Sequence, residues 1–115
     1  MALIELSKDL DNLIAGAYSD ARGPVVRGDH TELTLVQLDV GEKGRTHTHQ
    51  GEQFVFVLEG LLLFQVGDDE FKVGPGQAAF VPSDVAHGSE ALERTRALSF
   101  KNLASPAYEA TSQAH

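Results

Sequence analysis

The sequence contains no cysteine, and this absence excludes several kinds of chemistry at once. Neither a disulfide framework nor a thiolate metal site can form, and a thiol nucleophile is excluded as well. Tryptophan is also absent, and aromatic residues make up only 7% of the chain. A hydrophobic core must therefore consist mainly of valine, leucine, isoleucine and phenylalanine.

Positive charge is scarce. Nine lysine and arginine residues stand against seventeen acidic ones, which gives a formal net charge of −8, and the basic residues are scattered along the chain. Because phosphate contacts dominate nucleic-acid affinity, we expect no nucleic-acid partner, and anionic membranes are disfavoured for the same reason. A locally cationic pocket remains compatible with this composition.

Long apolar runs are missing too. No segment approaches the roughly 20 apolar residues that a membrane span requires. The first residues, MALIELSKDLDN, have neither the basic start nor the long apolar stretch of a signal peptide. We therefore expect no membrane association and a cytoplasmic location.

The pattern of short apolar segments predicts one all-β domain. A chain of 115 residues is the size of a single ordinary domain. From Gly23 onward, segments rich in β-branched and aliphatic residues alternate with Gly, Pro and Asp, which is typical of a sandwich or barrel. We expect a tight reversal at Glu59-Gly60 and a three-residue hairpin loop at 67–69. The clearest predicted strands are 31–40, 54–58, 61–66, 70–73, 77–81 and 95–100.

The two ends of the chain differ from this middle part. Residues 2–6 could form an edge strand, and the apolar residues from Leu6 to Ala17 follow helical spacing, which predicts a short helix or turn segment. The predicted organisation is an N-terminal arm at 1–22, a barrel at 23–103 and a small polar tail at 104–115.

Two histidines one residue apart, His47 and His49, indicate a metal site. Alternate side chains share one face of a strand, and two imidazoles on one face are a common beginning for a transition-metal site. Gln53 would face the same side if the pairing is regular. His87 could join the pair only in a closed sheet, because it lies far along the sequence. A His-x-His pair alone is a weak signal, since single histidines are more often solvated or hydrogen-bonded, as we expect for His30 and His115.

The residues around these histidines resemble two motifs of the cupin family. Gly41 to Gly60 resembles G(X)5HXH(X)3E(X)6G, with both histidines in register and Gln53 at the acidic position. The stretch GQAAFVPSDVAHGSEA resembles the second motif, G(X)5PXG(X)2H(X)3N. It matches at Gly76, Pro82 and His87, and has Asp84 at the glycine position and Ala91 at the asparagine position.

The resemblance implies a small jelly-roll β-barrel that holds one divalent metal per chain. Carried over position by position, the ligands would be His47, His49, Gln53 and His87. It also implies homodimers that pair through N-terminal strands, which would give residues 2–6 a role. Glu52 could ligate in place of Gln53 only after a one-residue slip, which would turn the other side chains of the strand to the wrong face.

The donor set limits the metal and its chemistry. Imidazole and amide ligands suit Ni, Zn, Co, Fe(II) and Mn(II), whereas Ca and Mg prefer all-oxygen sites. Binding should weaken at a pH where the histidines protonate. Because these ligands are neutral, they leave the metal charge uncompensated, which favours Lewis-acid chemistry on a small oxygen-rich molecule such as a keto acid, sugar acid or polyketide.

This ligand set favours an isomerase, cyclase or lyase. Cupins with three histidines and a glutamine include enzymes that open unsaturated uronate rings and small polyketide cyclases. The uronate enzymes end in a segment like DxFSPxR, whereas this chain has LSFKNLASP, without the Asp and Arg. A cupin dioxygenase, a non-catalytic small-ligand-binding cupin and a vestigial site are the alternatives.

Residues that could contact a small-molecule substrate are less well defined. Arg45 enters the first motif and could bind an anion, and Arg27 and Gln37 lie on predicted strands where an inward side chain would line a pocket. Phe56, Phe64 and Phe100 could do the same, although aromatic strand residues are more often simply core.

Overall fold

A computed structural model describes residues 2–103 of the chain, so the predicted tail at 104–115 lies outside the described residues. All regular structure in that range is β. No helix there is long and apolar enough to cross a membrane. The strands are β1 (Val25–Arg27), β2 (Thr31–Leu38), β3 (Lys43–His47), β4 (Gln53–Glu59), β5 (Leu62–Val66), β6 (Asp69–Val73), β7 (Ala78–Val81), β8 (His87–Ala91) and β9 (Thr95–Asn102).

The strands form two antiparallel sheets that face each other as a jelly-roll barrel. The five-stranded sheet has the order β1-β2-β9-β4-β7, and the four-stranded sheet has the order β3-β8-β5-β6. Two sheets of alternating residues can bury one face each against the other, which closes a single core. The predicted all-β jelly-roll fold is confirmed.

The chain reverses at both predicted turns, but the structure shows which strands each turn joins and how long the second loop is. β4 and β5 lie in different sheets, so the turn at Gly60 carries the chain across the barrel and does not close a hairpin. The β5–β6 hairpin has a two-residue loop, Gly67 and Asp68, because Val66 pairs directly with Asp69. The glycine at the first loop position has φ 58°, a left-handed conformation that short hairpin loops require.

The interior of the five-stranded sheet changes from polar to apolar along its strands. Neighbouring residues on β2, β9 and β4 form rows across the sheet. The first row contains two charged residues, whereas the third is entirely aliphatic and includes the fully buried Val57. The rows are Glu32–Lys101–Gln53, Thr34–Ser99–Val55 and Val36–Ala97–Val57.

The N-terminal arm contains turns and isolated bridges, so the helix alternative predicted for it is wrong. Leu13 bridges Arg22, and Ser19 bridges Gly44 of β3, which ties the arm to the barrel. Asp9 adopts a left-handed φ of 57°, which interrupts helical geometry. Tertiary hydrogen bonds to the barrel thus outweigh helix propensity. Residues 2–6 form no strand within the described range, and their predicted role in a dimer stays a prediction.

Two groups of charged residues hold the arm against the barrel. Arg22 donates to Glu42 Oε2 at 3.1 Å and to Asp39 Oδ2 at 3.2 Å. Arg45 Nη1 donates to Asp20 Oδ1 at 2.9 Å. The hydrogen bond from Arg22 lowers the pKa of Glu42, so this contact persists as an ion pair at neutral pH.

Candidate metal centre

The three motif histidines meet at one end of the barrel. His47 is the last residue of β3 and His87 the first of β8, and they are direct cross-strand partners with ring centroids 4.6 Å apart. The ring of His49 lies 4.7 Å from that of His87 and 5.7 Å from that of His47. One ring nitrogen from each lies within 4.8 Å of the other two, an arrangement that could hold a metal ion.

A loop, and not a continuous strand, places His49 beside its neighbour. β3 ends at His47, so the predicted alternation along one strand does not apply to His49. The His49 carbonyl accepts from Asp84 N at 2.9 Å, and Gly51 N donates to Ser83 Oγ at 2.9 Å. Asp84 has φ 64°, a left-handed conformation that explains why the motif has glycine there. The loops of the two motifs therefore brace each other.

Hydrogen bonds to backbone carbonyls orient two of the imidazoles. His47 Nδ1 lies 2.7 Å from the Arg45 carbonyl, and His87 Nδ1 lies 2.8 Å from the Val85 carbonyl. Because a carbonyl only accepts, each Nδ1 carries a proton, which leaves Nε2 as the ring nitrogen that can ligate. Metal-ligating histidines are held in this way by a partner on the other ring nitrogen.

Gln53 turns its carbonyl oxygen toward the histidines. Its Oε1 lies 3.0 Å from His49 Nε2, and its Nε2 donates to Ser99 Oγ at 2.8 Å. Two ligands about 2.1 Å from one metal and at right angles to each other are about 3.0 Å apart, so this spacing also suits a shared ion. Glu52 is exposed, and its carboxylate does not line the cavity.

The protonation of the cluster also fits a metal. His87 is 5% exposed, and this burial lowers its pKa to about 4. Burial lowers the pKa of His49 as well. Both rings are therefore neutral at pH 7, which is the form of imidazole that ligates metals. A buried His49 Nδ1 has no partner among the described residues. Three imidazoles and an amide oxygen form a donor set that fits one divalent transition metal.

A cavity of about 140 Å³ extends from the histidines into the barrel. Its apolar wall includes Val36, Val55, Leu62 and Phe64. Tyr18 of the N-terminal arm stacks on His47 at the mouth, with ring centroids 5.1 Å apart. The cavity has polar lining on the five-stranded sheet, from Glu32, Thr34, Ser99 and Lys101.

Sequence reasoning missed the charged pair of this cavity, Glu32 and Lys101. The two residues lie at opposite ends of the barrel sequence, and only the pairing of β2 with β9 makes them neighbours. One feature of the sequence could have revealed this pair. Side chains alternate between the two faces of β2, so Glu32 shares the inward face with Thr34 and Val36.

The other predicted ligand contacts lie elsewhere. Arg45 pairs with Asp20 and binds the arm, Arg27 pairs with Glu32 from the exposed edge strand, and the Gln37 amide donates to the Leu10 carbonyl. Phe64 lines the cavity, whereas Phe56 and Phe100 do not.

Comparison with known proteins assigns the family. The sequence profile described as Cupin domain (Cupin_2) matches residues 34–100. The chain belongs to the cupin family. No curated protein matches this cupin.

Solved structures share the fold of this cupin. KdgF from Halomonas sp. is 21% identical over 71% of this chain and 79% of that chain, with a TM-score of 0.68. An RmlC-like cupin from Shewanella frigidimarina is 20% identical over 88% and 89%, with a TM-score of 0.70. A predicted oxalate decarboxylase from Thermotoga maritima is 16% identical over 89% and 99%, with a TM-score of 0.76. At these identities the likeness establishes the fold alone.

Proposed function

We propose that this cupin is an enzyme that uses one divalent transition metal to activate a small oxygen-rich molecule. His47, His49, His87 and Gln53 would hold the metal. The observation that carries the proposal is the convergence of three oriented imidazoles and one amide oxygen on a single cavity. When bound, a metal with these neutral ligands would supply Lewis acidity toward a carbonyl or a water molecule.

The residues of the chain would orient the ligand and limit the access of water. The carbonyls of Arg45 and Val85 keep two rings in one orientation, and Ser99 does the same for the Gln53 amide. The aliphatic wall lowers the local dielectric, which strengthens electrostatic contacts inside the cavity. Tyr18 covers one face of His47 at the entrance.

The ligand set supports isomerase, cyclase or lyase chemistry. The metal-binding cluster of the described chain contains no carboxylate, and the adjacent Glu52 is exposed. No carboxylate among the proposed ligands could therefore accept a proton, as one would in a dioxygenase, and the Glu32 carboxylate in the cavity wall is paired with Arg27.

The test is turnover without oxygen. Protein loaded with each of Ni, Zn, Co, Mn and Fe(II) is incubated in D₂O with small 2-oxo acids and sugar acids, and NMR follows exchange of the carbon-bound hydrogen beside the carbonyl. We expect exchange that requires metal and persists under strict anaerobiosis. Turnover that occurs only with oxygen consumption would identify the dioxygenase, and tight binding without any turnover would identify the non-catalytic binder.

We also propose that the cupin forms a homodimer through the outer face of the five-stranded sheet. One apolar row crosses all five strands of that face: Val26–Leu33–Phe100–Phe54–Phe80. Phe54, Phe80 and Phe100 are 50%, 42% and 45% exposed. Monomeric proteins rarely leave so continuous an apolar patch in water, and a second copy with the same row could cover it.

We expect wild-type protein to have the mass of a dimer by light scattering, and Phe54→Asp to have the mass of a monomer, because a carboxylate in the row would lose its hydration on association. Phe71→Asp is the matched control, since Phe71 is also exposed but lies on the other sheet. A monomeric wild type, or a dimeric Phe54→Asp, would contradict the proposal.

The cytoplasmic location and the lack of nucleic-acid or membrane partners remain predictions from the sequence.

A further inference from the structure

Lys101 is a cation that lines the cavity of the candidate metal ligands and is the cross-strand partner of one of them, Gln53. It occupies β9 between β2 and β4, with Glu32 as its partner on one side and Gln53 on the other. Its side chain lines the same cavity as the three histidines. A ligand in this cavity would therefore lie beside the positive charge of Lys101 on the five-stranded sheet and would face the histidine cluster at the end of the cavity.

The contacts of Lys101 leave its ammonium group able to bind a ligand. Glu32 is 9% exposed at its side chain, and its Oε2 accepts from Arg27 Nε at 2.7 Å. Its Oε1 lies 3.8 Å from Lys101 Nζ, an ion-pair separation too long for a hydrogen bond. Among residues 2–103, Lys101 Nζ donates no hydrogen bond to a side chain. The three N–H donors of the ammonium group thus belong to a side chain that is only 29% exposed.

The charge balance around the cavity favours an anion. The single charge of Glu32 is shared by two cations, Arg27 and Lys101, so this group has a net positive charge within a chain of net charge −8. A divalent metal at the histidines would add to this positive potential.

We propose that Lys101 binds the carboxylate of the ligand, and that the ligand is a small oxo- or hydroxy-carboxylate whose second oxygen faces the histidines. Glu32 keeps the ammonium group directed into the cavity. The aliphatic residues Val36, Val55 and Leu62 would contact the short carbon skeleton. The part of the proposal that concerns the second oxygen rests on the proposed metal function, whereas the carboxylate contact does not.

The test compares pyruvate with methyl pyruvate, which keeps the carbonyl but has no negative charge. Their affinities are measured by NMR titration of ¹⁵N-labelled protein, both Zn-loaded and stripped with EDTA. We expect wild type to prefer pyruvate in both forms. Lys101→Met should lower that preference about tenfold or more, the usual size of one charge-assisted hydrogen bond, without changing the affinity for methyl pyruvate.

Matched variants separate this role from a structural one. Lys101→Arg keeps the charge and should keep most of the preference, and Lys72→Met removes an exposed lysine of β6 and should change nothing. The NMR spectra report folding directly, and Lys101→Gln serves if Lys101→Met does not fold. A purely structural ion pair with Glu32 would alter the melting temperature but not the preference between the two ligands.

The outcomes distinguish the two proposals. If the protein takes up no Zn²⁺ but the stripped form loses its pyruvate preference in Lys101→Met, the metal function fails and the role of Lys101 stands. If metal binds normally and the variant keeps the full preference, the role of Lys101 is overturned. A wild type that binds pyruvate no better than methyl pyruvate overturns it as well.

Discussion

Replacing His87 by alanine is expected to remove almost all bound divalent metal. His87 is the most buried of the three histidines, and the Val85 carbonyl holds its ring so that Nε2 keeps the lone pair. Changes in residues that only support a ligand cost about 10- to 100-fold in metal affinity, so loss of a ligand should cost more. Elemental analysis of protein purified without a metal-affinity step measures the effect.

The control for this experiment is His30→Ala. His30 is exposed and does not line the cavity, so its replacement should leave the metal content unchanged. Thermal unfolding of the metal-stripped proteins shows whether the His87 variant still folds. Equal metal content in wild type and folded His87→Ala would refute the candidate metal centre.

Gly60→Ala is expected to destabilise the protein by about 3 kcal/mol or more, which would lower Tm by roughly 10 °C in a domain of this size. Gly60 has φ 97°, where a side chain is strained. An added Cβ would overlap the Arg94 carbonyl oxygen and lie 2.5 Å from Thr95 Oγ1. That hydroxyl cannot easily move, because it is hydrogen-bonded to Leu61 and Glu93. Chemical denaturation measures the change.

Gly76→Ala separates the backbone strain at a positive φ from the overlap that an added Cβ would cause. Gly76 has a similar φ of 81°, but a Cβ there would meet nothing within 4 Å. Its replacement should therefore cost only the backbone strain, about 1 kcal/mol. If both variants lose the same stability, close packing at the crossing between β4 and β5 is not the reason for Gly60.

Most strands could be predicted from the sequence because alternation and turn residues are local patterns. Fixed spacing in two motifs predicts His47, His49, Gln53 and His87 as metal ligands, and the structure brings the three histidines together. Which strands belong to which sheet cannot be predicted from local patterns, because it depends on pairing between distant segments. The turn at Gly60 looks like a hairpin in the sequence, and only the pairing of β4 with β9 and of β5 with β8 shows that it crosses the barrel.

The contacts that sequence reasoning missed are long-range. Lys101 and Glu32 become neighbours through β2–β9 pairing, and the scattered positive charge in the sequence contained no sign of it. Arg45 seemed free to bind an anion, yet Asp20 of the arm neutralises it. The apolar spacing in the arm predicted a short helix or turn, and the structure has turns there, with bridges to β2 and β3 that decide the conformation of the arm.

The stacking of Tyr18 on His47 has an optical consequence. Because the chain has no tryptophan and only two tyrosines, Tyr18 and Tyr108, its near-ultraviolet fluorescence arises from tyrosine alone. One of those two emitters lies directly against an imidazole of the candidate centre. A paramagnetic ion such as Co²⁺ or Ni²⁺ there would quench Tyr18 emission, and Zn²⁺ would not. The protein thus contains a built-in fluorophore for titrating its own metal, and Tyr18→Phe would abolish that signal.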